Sequence, residues 1–582
     1  MEQRNLFLAI ILSAVILLGF QYFLPHHPDQ TVPAPNAATQ HTANSRGTAL
    51  TPSGGSTGLL ATSAAGDPAA GGETREQVLA ASPRIAIDTP RIEGSINLKG
   101  ARFDDITLKD YRETVSAKSP AIVLLSPTGT PRAYLAQQGW ISADHSVPVP
   151  TEDTLWQASG TKLTPQTPVT LTWDNGKGLK FERTISVDAN YMFTIKSRVI
   201  NSGSTPVSLS PYSLVSRTGL PPVAQSWVSY EGPIGAFDGV SDEVSYKTVA
   251  AGRVEKDSTG GWLGFSDKYW LTAVAPDQSD KIKVNFSHVG EGESQRFQAD
   301  YLSGAVTVAP GASVESKSLL FSGAKEVKLL AHYADTVPLA RFDRAVDFGW
   351  FYFLTKPIFY LLDWIYGVVG NFGISILILT VIIKTLFFPL ANKAFVSMDK
   401  MRQLQPQMQK LREKYGEDKV KLNQEVMALY KRVGANPVAG CLPMLLQIPV
   451  FFSLYKVLYT SIEMRHAPFY GWIHDLSAPD PTSAFNLFGL IPWAPPPMLM
   501  IGVWPLIYCL TMFLQQHMQP QPADPTQAKM FKFMPIIFTM MLGRMASGLV
   551  IYWSWNNLLT ILQQWLIRRR SSQATALAKS AR

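Results

Sequence analysis

The sequence predicts a multi-domain membrane protein: an N-terminal anchor helix, a large antiparallel β-sandwich, and a five-helix transmembrane core with a helical hairpin. Three observations carry this. The 582 residues are only 16% charged and 46% hydrophobic, whereas a soluble globular chain usually carries about 25% charge. Long uncharged stretches are confined to the N-terminus and the last third of the chain. The region between them alternates polar and apolar residues with period two. The net charge of +8 points to an anionic partner, membrane surface or nucleic acid. Two cysteines, Cys441 and Cys509, exclude a disulfide framework, a Cys-rich zinc site or an iron–sulfur cluster as the organising principle.

Leu6 to Leu24 is 19 residues without a charge, enough to span a hydrocarbon core of about 30 Å. A cleaved signal peptide has a shorter apolar region and a small-residue cleavage site. Here Pro25-His26-His27-Pro28 follows, so 1–24 reads as an uncleaved anchor. Residues 25–80 are rich in Pro, Ala, Ser, Thr and Gly. They cannot bury enough apolar surface to offset chain entropy and read as a flexible linker.

Residues 81–340 carry the β pattern. Val169–Trp173 alternates, Asp174-Asn175-Gly176 turns, and Leu179–Ile185 alternates again, followed by Tyr191–Val199 and, later, Lys281–Phe286. Repeated strands with turn residues between them predict a large antiparallel sandwich. Near 341 the period becomes helical, with Phe342, Val346 and Trp350 four apart. Pro357–Val369 is aromatic-rich and carries one charge, Asp363, as suits a helix lying in the membrane interface; Gly370-Asn371 ends it. The segment 341–371 is therefore expected to be interfacial. Five apolar stretches follow within 372–567, at about 372–390, 439–462, 498–518, 532–546 and 548–567.

Loop charge sets the orientation. The loop 391–438 carries ten Lys or Arg against five acids, and the tail 568–582 carries five basic residues and no acid. The loop 463–497 has one, Arg465, against Glu463, Asp475 and Asp480. Hairpin and tail are expected in the cytoplasm, the third loop and the β domain on the far side, with both termini inside. In the basic loop Met401, Leu404, Met408, Leu411 and Tyr415 form one stripe, and Leu422, Val426, Leu429 and Val433 a second. This predicts two amphipathic helices with a basic exterior, a docking surface rather than a merely solvated face.

Lys384 is the odd residue. It lies six residues before Leu390, about 9 Å from the cytoplasmic end of its apolar stretch. An ionisable group at such depth usually faces a bundle interior or a wet cavity; the competing reading is snorkelling to headgroups. Thr380, one turn earlier on the same face, favours a polar surface. In the last stretch Trp553, Asn557, Thr560 and Gln564 are spaced 4, 3 and 4 and share one face, widened by Asn556 and Gln563. Such a stripe points inward, either lining a groove or holding the bundle by interhelical hydrogen bonds. Gln447 is a weaker candidate. Lys456 and Arg544 receive no role, and outward snorkelling accounts for Lys456. No Walker, GxSxG or HExxH pattern occurs, so no catalytic residue, cofactor or metal site is expected. His466 and His474, eight apart, could form a metal pair only by chance.

The strings Asn371–Ser375, Pro389-Leu390, Met401–Pro406, Asn436–Pro443, Gln447–Pro449, Trp472–Leu476, Asp524-Pro525, Phe533–Pro535 and Ser547–Tyr552 occur in that order. With the anchor and β domain they resemble the bacterial YidC membrane protein insertase family of Gram-negative type. The resemblance is specific over about 341–567. The N-terminal half matches in layout, and its β domain is similar to the sandwich of sugar mutarotases without an evident catalytic set. The resemblance implies a non-enzymatic insertase and chaperone of the cell inner membrane, with the β domain in the periplasm. It implies as partners nascent membrane proteins, the Sec translocon, the ribosome and membrane lipids, and no sequence-specific nucleic acid. It places Lys384 where the family usually has a groove arginine. Charge is kept but the bidentate fork is lost, which favours simple electrostatic attraction.

On this reading Lys384, Thr380, Gln447, Trp553, Asn557 and Thr560 line a groove open to cytoplasm and lipid. Arg402, Lys410 and Arg412 of the hairpin, with Arg568, Arg569 and Arg570 of the tail, dock substrate or ribosome. Two alternatives stand beside it. A small-solute transporter would use Lys384 as a counter-charge and should show broken helices and an internal repeat. A membrane-anchored sugar-binding or isomerising domain would leave the five core helices without a purpose.

Overall fold

The structure, a computed structural model, describes residues 74–142, 147–221, 229–416, 418–434, 442–493, 495–496, 500–519 and 525–580. The expected anchor 1–24 and residues 25–73 of the expected linker lie outside these. The linker's end is not irregular chain as expected. Arg75–Ala80 forms a helix, α1, opened by a capping box in which Thr74 and Gln77 satisfy each other's backbone N–H groups. Arg75 fastens it to the sheet through Asp105.

Two antiparallel sheets make the β domain. One runs in the order Val254–Thr259, Lys281–Val289, Arg296–Ser303, Val207–Thr218, Tyr134–Ser142, Arg102–Arg112, Ile92–Asn97, Arg84–Asp88, Lys162–Leu163. Its last pair is parallel. The other runs Val240–Glu243, Gly232–Phe237, Trp262–Ser266, Trp270–Pro276, Ser313–Ala324, Met192–Asn201, Leu179–Val187, Val169–Asp174, Gln157–Ala158. The expected hairpin pairs Val169 with Ile185 and Asp174 with Lys180. Its turn is closed by Asn175 N–H to Leu179 O at 3.0 Å. Gly176 sits at φ 67°, a conformation that favours a residue without Cβ. The inward residues of the two sheets interlock, as in the edge-to-face pair Phe103–Phe193, 5.2 Å between ring centres. A short helix, α2 (Tyr246–Ala251), adds Tyr246 to this core.

The transition at 341 differs from the expected continuous helix. Phe342–Ala345 is a single 3₁₀ turn, and Phe342 and Val346 are buried while Trp350 is exposed. Phe342 packs edge-on against Trp262 and Phe321 of the sandwich, so this segment closes the β core. Before it, α3 (Val327–Thr336) lies on the sandwich. After it, α4 (Tyr352–Val369) begins and ends at Gly370, φ 68°. It buries Ile358, Phe359, Leu362 and Ile365 and exposes Phe353, Trp364 and Val368.

The helical region continues with α5 (Phe372–Leu386), α6 (Phe388–Gln403), α7 (Gln405–Tyr415), α8 (Lys419–Val433), α9 (Leu442–Thr460), α10 (Val503–Met518), α11 (Pro525–Leu542) and α12 (Ser547–Ser580). The Asn371 side chain accepts from Ile374 N at 3.1 Å and caps α5. Among the described residues no single helix is long and apolar enough to cross a membrane. One bent pair, α5 with α6, passes the same test, and the two axes meet at 70°. The straight span expected over 372–390 is thus interrupted. Pro389 lies in the first turn of α6 and cannot donate to the preceding turn, so α5 stops at Leu386. The same device divides the first hairpin helix: Pro406 begins α7, and the stripe from Met401 to Tyr415 runs over two helices. Its apolar residues still meet the second arm. Met401, Leu404 and Leu429 share one core, and Tyr430 Oη donates to Met408 Sδ at 3.4 Å.

Candidate functional site

Three helices converge on α12, and each meets a different side of it. Toward α5, Lys384 Nζ donates to Thr560 Oγ1 at 2.8 Å, and Trp555 Nε1 donates to Leu377 O at 3.1 Å. Toward α9, Gln447 Nε2 donates to Tyr552 Oη, and Phe451 stacks on Trp553 with 4.8 Å between ring centres. Toward α10, Asn557 Nδ2 donates to Thr511 Oγ1 at 3.4 Å, and Tyr508 lies beside Trp553. Of the stripe, Trp553 meets α9 and α10, Asn557 meets α10 and Thr560 meets α5, while Gln564 is buried.

Lys384 is half-buried between α5 and α12, and Thr560 takes one of its three N–H donors. Among the described residues no carboxylate pairs with it. Thr560 in turn donates to Asn556 O at 2.7 Å, so its hydroxyl oxygen is turned to accept from the ammonium. Thr380 is 2% exposed, and its hydroxyl is spent within its own helix on Ile376 O at 2.6 Å. It adds polarity beside Lys384 without offering a free donor. Below Thr560, both amide atoms of Gln564 are buried without a partner among the described residues, as are Asn556 Oδ1 and Gln563 Oε1. An unpaired buried polar atom costs about 1–3 kcal/mol, a cost that water or a polar group of another chain would relieve.

The expected docking residues lie on the hairpin helices and on the C-terminal part of α12. Arg402 and Arg412 are half-exposed and Lys410 fully exposed on the hairpin. Arg568 is committed locally: Nη2 donates to Met518 O at 2.5 Å, and Nε lies 3.5 Å from Asp399 Oδ1. It ties α12 to the end of α10 and to α6. Arg569 is exposed and lies over Trp565, 5.4 Å from the ring centre. Arg570 is on the same helix; its side chain lies outside the description.

Sequence reasoning missed Tyr552, Thr511 and Trp555. Thr511 had one local cue, a lone hydroxyl in the apolar run Leu510–Met512; the partners of Tyr552 and Trp555 lie on other helices and leave none. Lys456 is corrected outright. It does not snorkel; its ammonium binds Asp347 Oδ2 at 2.7 Å, and the same oxygen accepts from Tyr230 N at 3.0 Å. Glu463 is a further missed residue. It follows α9, and its Oε1 accepts from Val327 N at 2.9 Å, capping α3 on the β domain. Burial pushes its carboxyl up to about 7. Lys328 pairs with Asp363, and Arg465 donates to Arg112 O at 2.6 Å. These contacts join the β domain to the helices along one polar seam. No group of three or more His, Cys, Asp or Glu side chains among the described residues is placed to hold a metal ion.

A family model described as the YidC periplasmic domain matches residues 84–361, and one described as 60Kd inner membrane protein matches residues 364–574. The chain belongs to the YidC membrane protein insertase family. A membrane protein insertase YidC of Beijerinckia indica is 50% identical, covering 98% of this chain and 96% of its own. One from Bradyrhizobium diazoefficiens is also 50% identical over the same shares. A crystal structure titled as an active YidC insertase aligns with 83% of this chain and 92% of its own at 16% identity; its TM-score of 0.34 is too low to carry a structural argument. All the groove candidates and all six docking candidates fall within the 60Kd inner membrane protein match. The family is one of insertases rather than enzymes.

Proposed function

We propose that this chain inserts nascent proteins into the bacterial inner membrane, and helps them fold, through a cationic, hydrated groove. Lys384, Thr380, Gln447, Trp553, Asn557 and Thr560 line the groove, which opens to cytoplasm and lipid. The observation that carries this is Lys384 held by Thr560 beside the orphan amides of Asn556, Gln563 and Gln564. A lysine that snorkelled would find headgroups, not a buried threonine. A bundle that merely used these amides as glue would have paired them.

The mechanism follows from desolvation. Moving a polar peptide stretch through hydrocarbon strips each of its groups of water, at several kcal/mol for every group left unpaired. The unpaired amides and retained water of the groove supply partners part of the way across. Lys384 attracts acidic groups of the entering tail, and with two N–H donors free it does so without leaving Thr560. The apolar segment of the substrate moves into lipid along the exposed faces of α10 and α11, where hydrophobic partitioning provides the drive.

On this reading both termini and the hairpin are cytoplasmic, the β domain is periplasmic, and six segments cross the membrane, the first being the anchor 1–24. The hairpin residues Arg402, Lys410 and Arg412 collect the substrate, and Arg569 and Arg570 reach ribosomal RNA through its phosphates. Arg568 serves as the fastener of α12. The Sec translocon is a further partner, and no cofactor is required.

In reconstituted vesicles, Lys384→Ala should lower insertion of substrates with acidic translocated tails by roughly tenfold, the worth of about 1.4 kcal/mol of lost attraction. Uncharged tails should be affected less. Equal loss for both tails would remove Lys384 from substrate attraction.

A further inference from the structure

Arg544 has no role in the groove. It lies in the turn between α11 and α12, exposed at the rim of a cavity of about 850 Å³. Ile491, Pro492, Trp493 and Met500 supply apolar walls, and Asp480 lies at the base. A cavity of this size is within the range of about 300–1,000 Å³ that holds small organic ligands.

The charge balance of this cavity is unequal. Asp480 is its lining carboxylate, and both oxygens are already used. Oδ1 accepts from Trp472 Nε1 at 3.1 Å and Thr482 Oγ1 at 2.6 Å, and Oδ2 accepts from Trp504 N at 3.0 Å. Among the described residues no carboxylate pairs with Arg544, so the cavity presents a guanidinium with its fork unoccupied. Planar, permanently charged and able to donate two parallel N–H bonds, such a group matches a phosphodiester.

The surroundings identify which phosphodiester. The loop beside the cavity exposes Phe485, Leu487, Phe488 and Leu490, the last at 82%. Leu487 and Phe488 are held at φ 49° and 58°, a left-handed conformation that bulky side chains rarely adopt. The chain accepts that strain while presenting consecutive apolar side chains outward. On the other flank α11 exposes Phe533, Ile537, Met540 and Met541, which lead along the helix to Arg544. An apolar surface this continuous is characteristic of contact with another molecule or a membrane. Here the α11 flank, proposed above to face lipid, ends next to Gly543 and Arg544, which line the cavity with Ile491 and Trp493.

We propose that this cavity is a binding site for an anionic phospholipid of the outer leaflet. The phosphodiester sits on Arg544, Trp493 lies at the headgroup level where indole rings are favoured, and an acyl chain follows the exposed flank of α11. The inference rests on the membrane orientation proposed above but not on the groove.

The test is lipid retention by the full-length protein, purified in mild detergent and titrated with phosphatidylglycerol, phosphatidylcholine or glycerol phosphate under native mass spectrometry. Phosphatidylcholine carries the same phosphodiester but with a choline ammonium beside it that the guanidinium repels, so phosphatidylglycerol should be retained roughly tenfold over it, a preference of about 1.4 kcal/mol. Arg544→Gln should abolish the preference and Arg544→Lys should keep part of it. Trp493→Ala should weaken both lipids alike. Equal retention of the two lipids by the unmodified protein, or an unchanged preference in Arg544→Gln, would overturn the site. Glycerol phosphate binding as well as the lipid would show a soluble phosphate site instead, and also overturns it. Lys384→Ala should keep the lipid preference, so failure of the groove and failure of this site are read separately.

Discussion

The β domain and the helical region handle polarity in opposite ways. Among the described residues before 341 the exposed large apolar side chains are Val115, Val123, Leu155, Leu220 and Val240, scattered singly. The buried charges there are mostly paired, as in Arg84–Asp104, Arg217–Asp267 and Lys256–Asp242. Arg183, fully buried, has no carboxylate but donates to Gln138 O at 2.7 Å and Ala101 O at 3.2 Å and lies over Trp156. From residue 350 onward the pattern inverts. Helix flanks expose Phe353, Trp364, Leu510, Phe533 and Ile537, while Lys384 and the amides of α12 lie inside. One region covers its apolar side chains and pairs most of its buried charges; the other exposes apolar flanks and holds unpaired polar atoms within, as the proposed function requires of a part that meets lipid outside and water inside.

The strongest way to sharpen this division is to damage the β core. Phe321 is 1% exposed and packs edge-on against Tyr191, Tyr333 and Phe342. Phe321→Ala should cost the β domain about 3–5 kcal/mol, read as earlier proteolysis of that domain in denaturant. Insertion by the surviving folded protein should stay near normal. A collapse of insertion equal to that of Lys384→Ala would erase the distinction between the two regions.

A smaller effect is expected at the seam. Lys456→Ala leaves the Asp347 carboxylate with backbone donors only, Tyr230 N on Oδ2 and Gly349 N on Oδ1, and for a pair this partly buried the loss is about 2 kcal/mol. Adding Asp347→Asn should recover part of it, which thermal melts of the two variants will show. If the single and double variants melt alike, the pair does not hold the domains together.

The smallest effect is a change of slope. The Glu463 carboxyl is raised to about 7 by burial, so the folded state prefers it protonated. Its contribution is complete below the ordinary carboxylate range and is lost as pH rises through about 7. Glu463→Gln keeps an acceptor for Val327 N and removes the titration. The difference in melting temperature between variant and parent should therefore grow in the variant's favour from pH 5 to 8. A constant difference would mean that Glu463 does not titrate there.

Much of this architecture was legible because it is local. Strand alternation and the Asp174-Asn175-Gly176 turn repeat over a few residues, and so does the stripe on α12. Lys384 stood out because a charge in an apolar run is costly wherever it points. What stayed hidden depends on distant partners. Lys456 and Asp347 are 109 residues apart, and nothing near either names the other. Gln447 and Tyr552 are 105 apart. The breaks at Phe387 and Leu404 were visible in principle, since Pro389 and Pro406 follow them, but the apolar pattern runs on through both and masked the change of direction.

That break at Phe387 fixes a height. With 15 residues, α5 rises only about 22 Å, against a hydrocarbon layer of about 30 Å. On the orientation proposed above, lipids beside it compress or tilt and headgroups sink toward Lys384. The hydrocarbon that a polar substrate chain would negotiate is then thinnest where the ammonium waits.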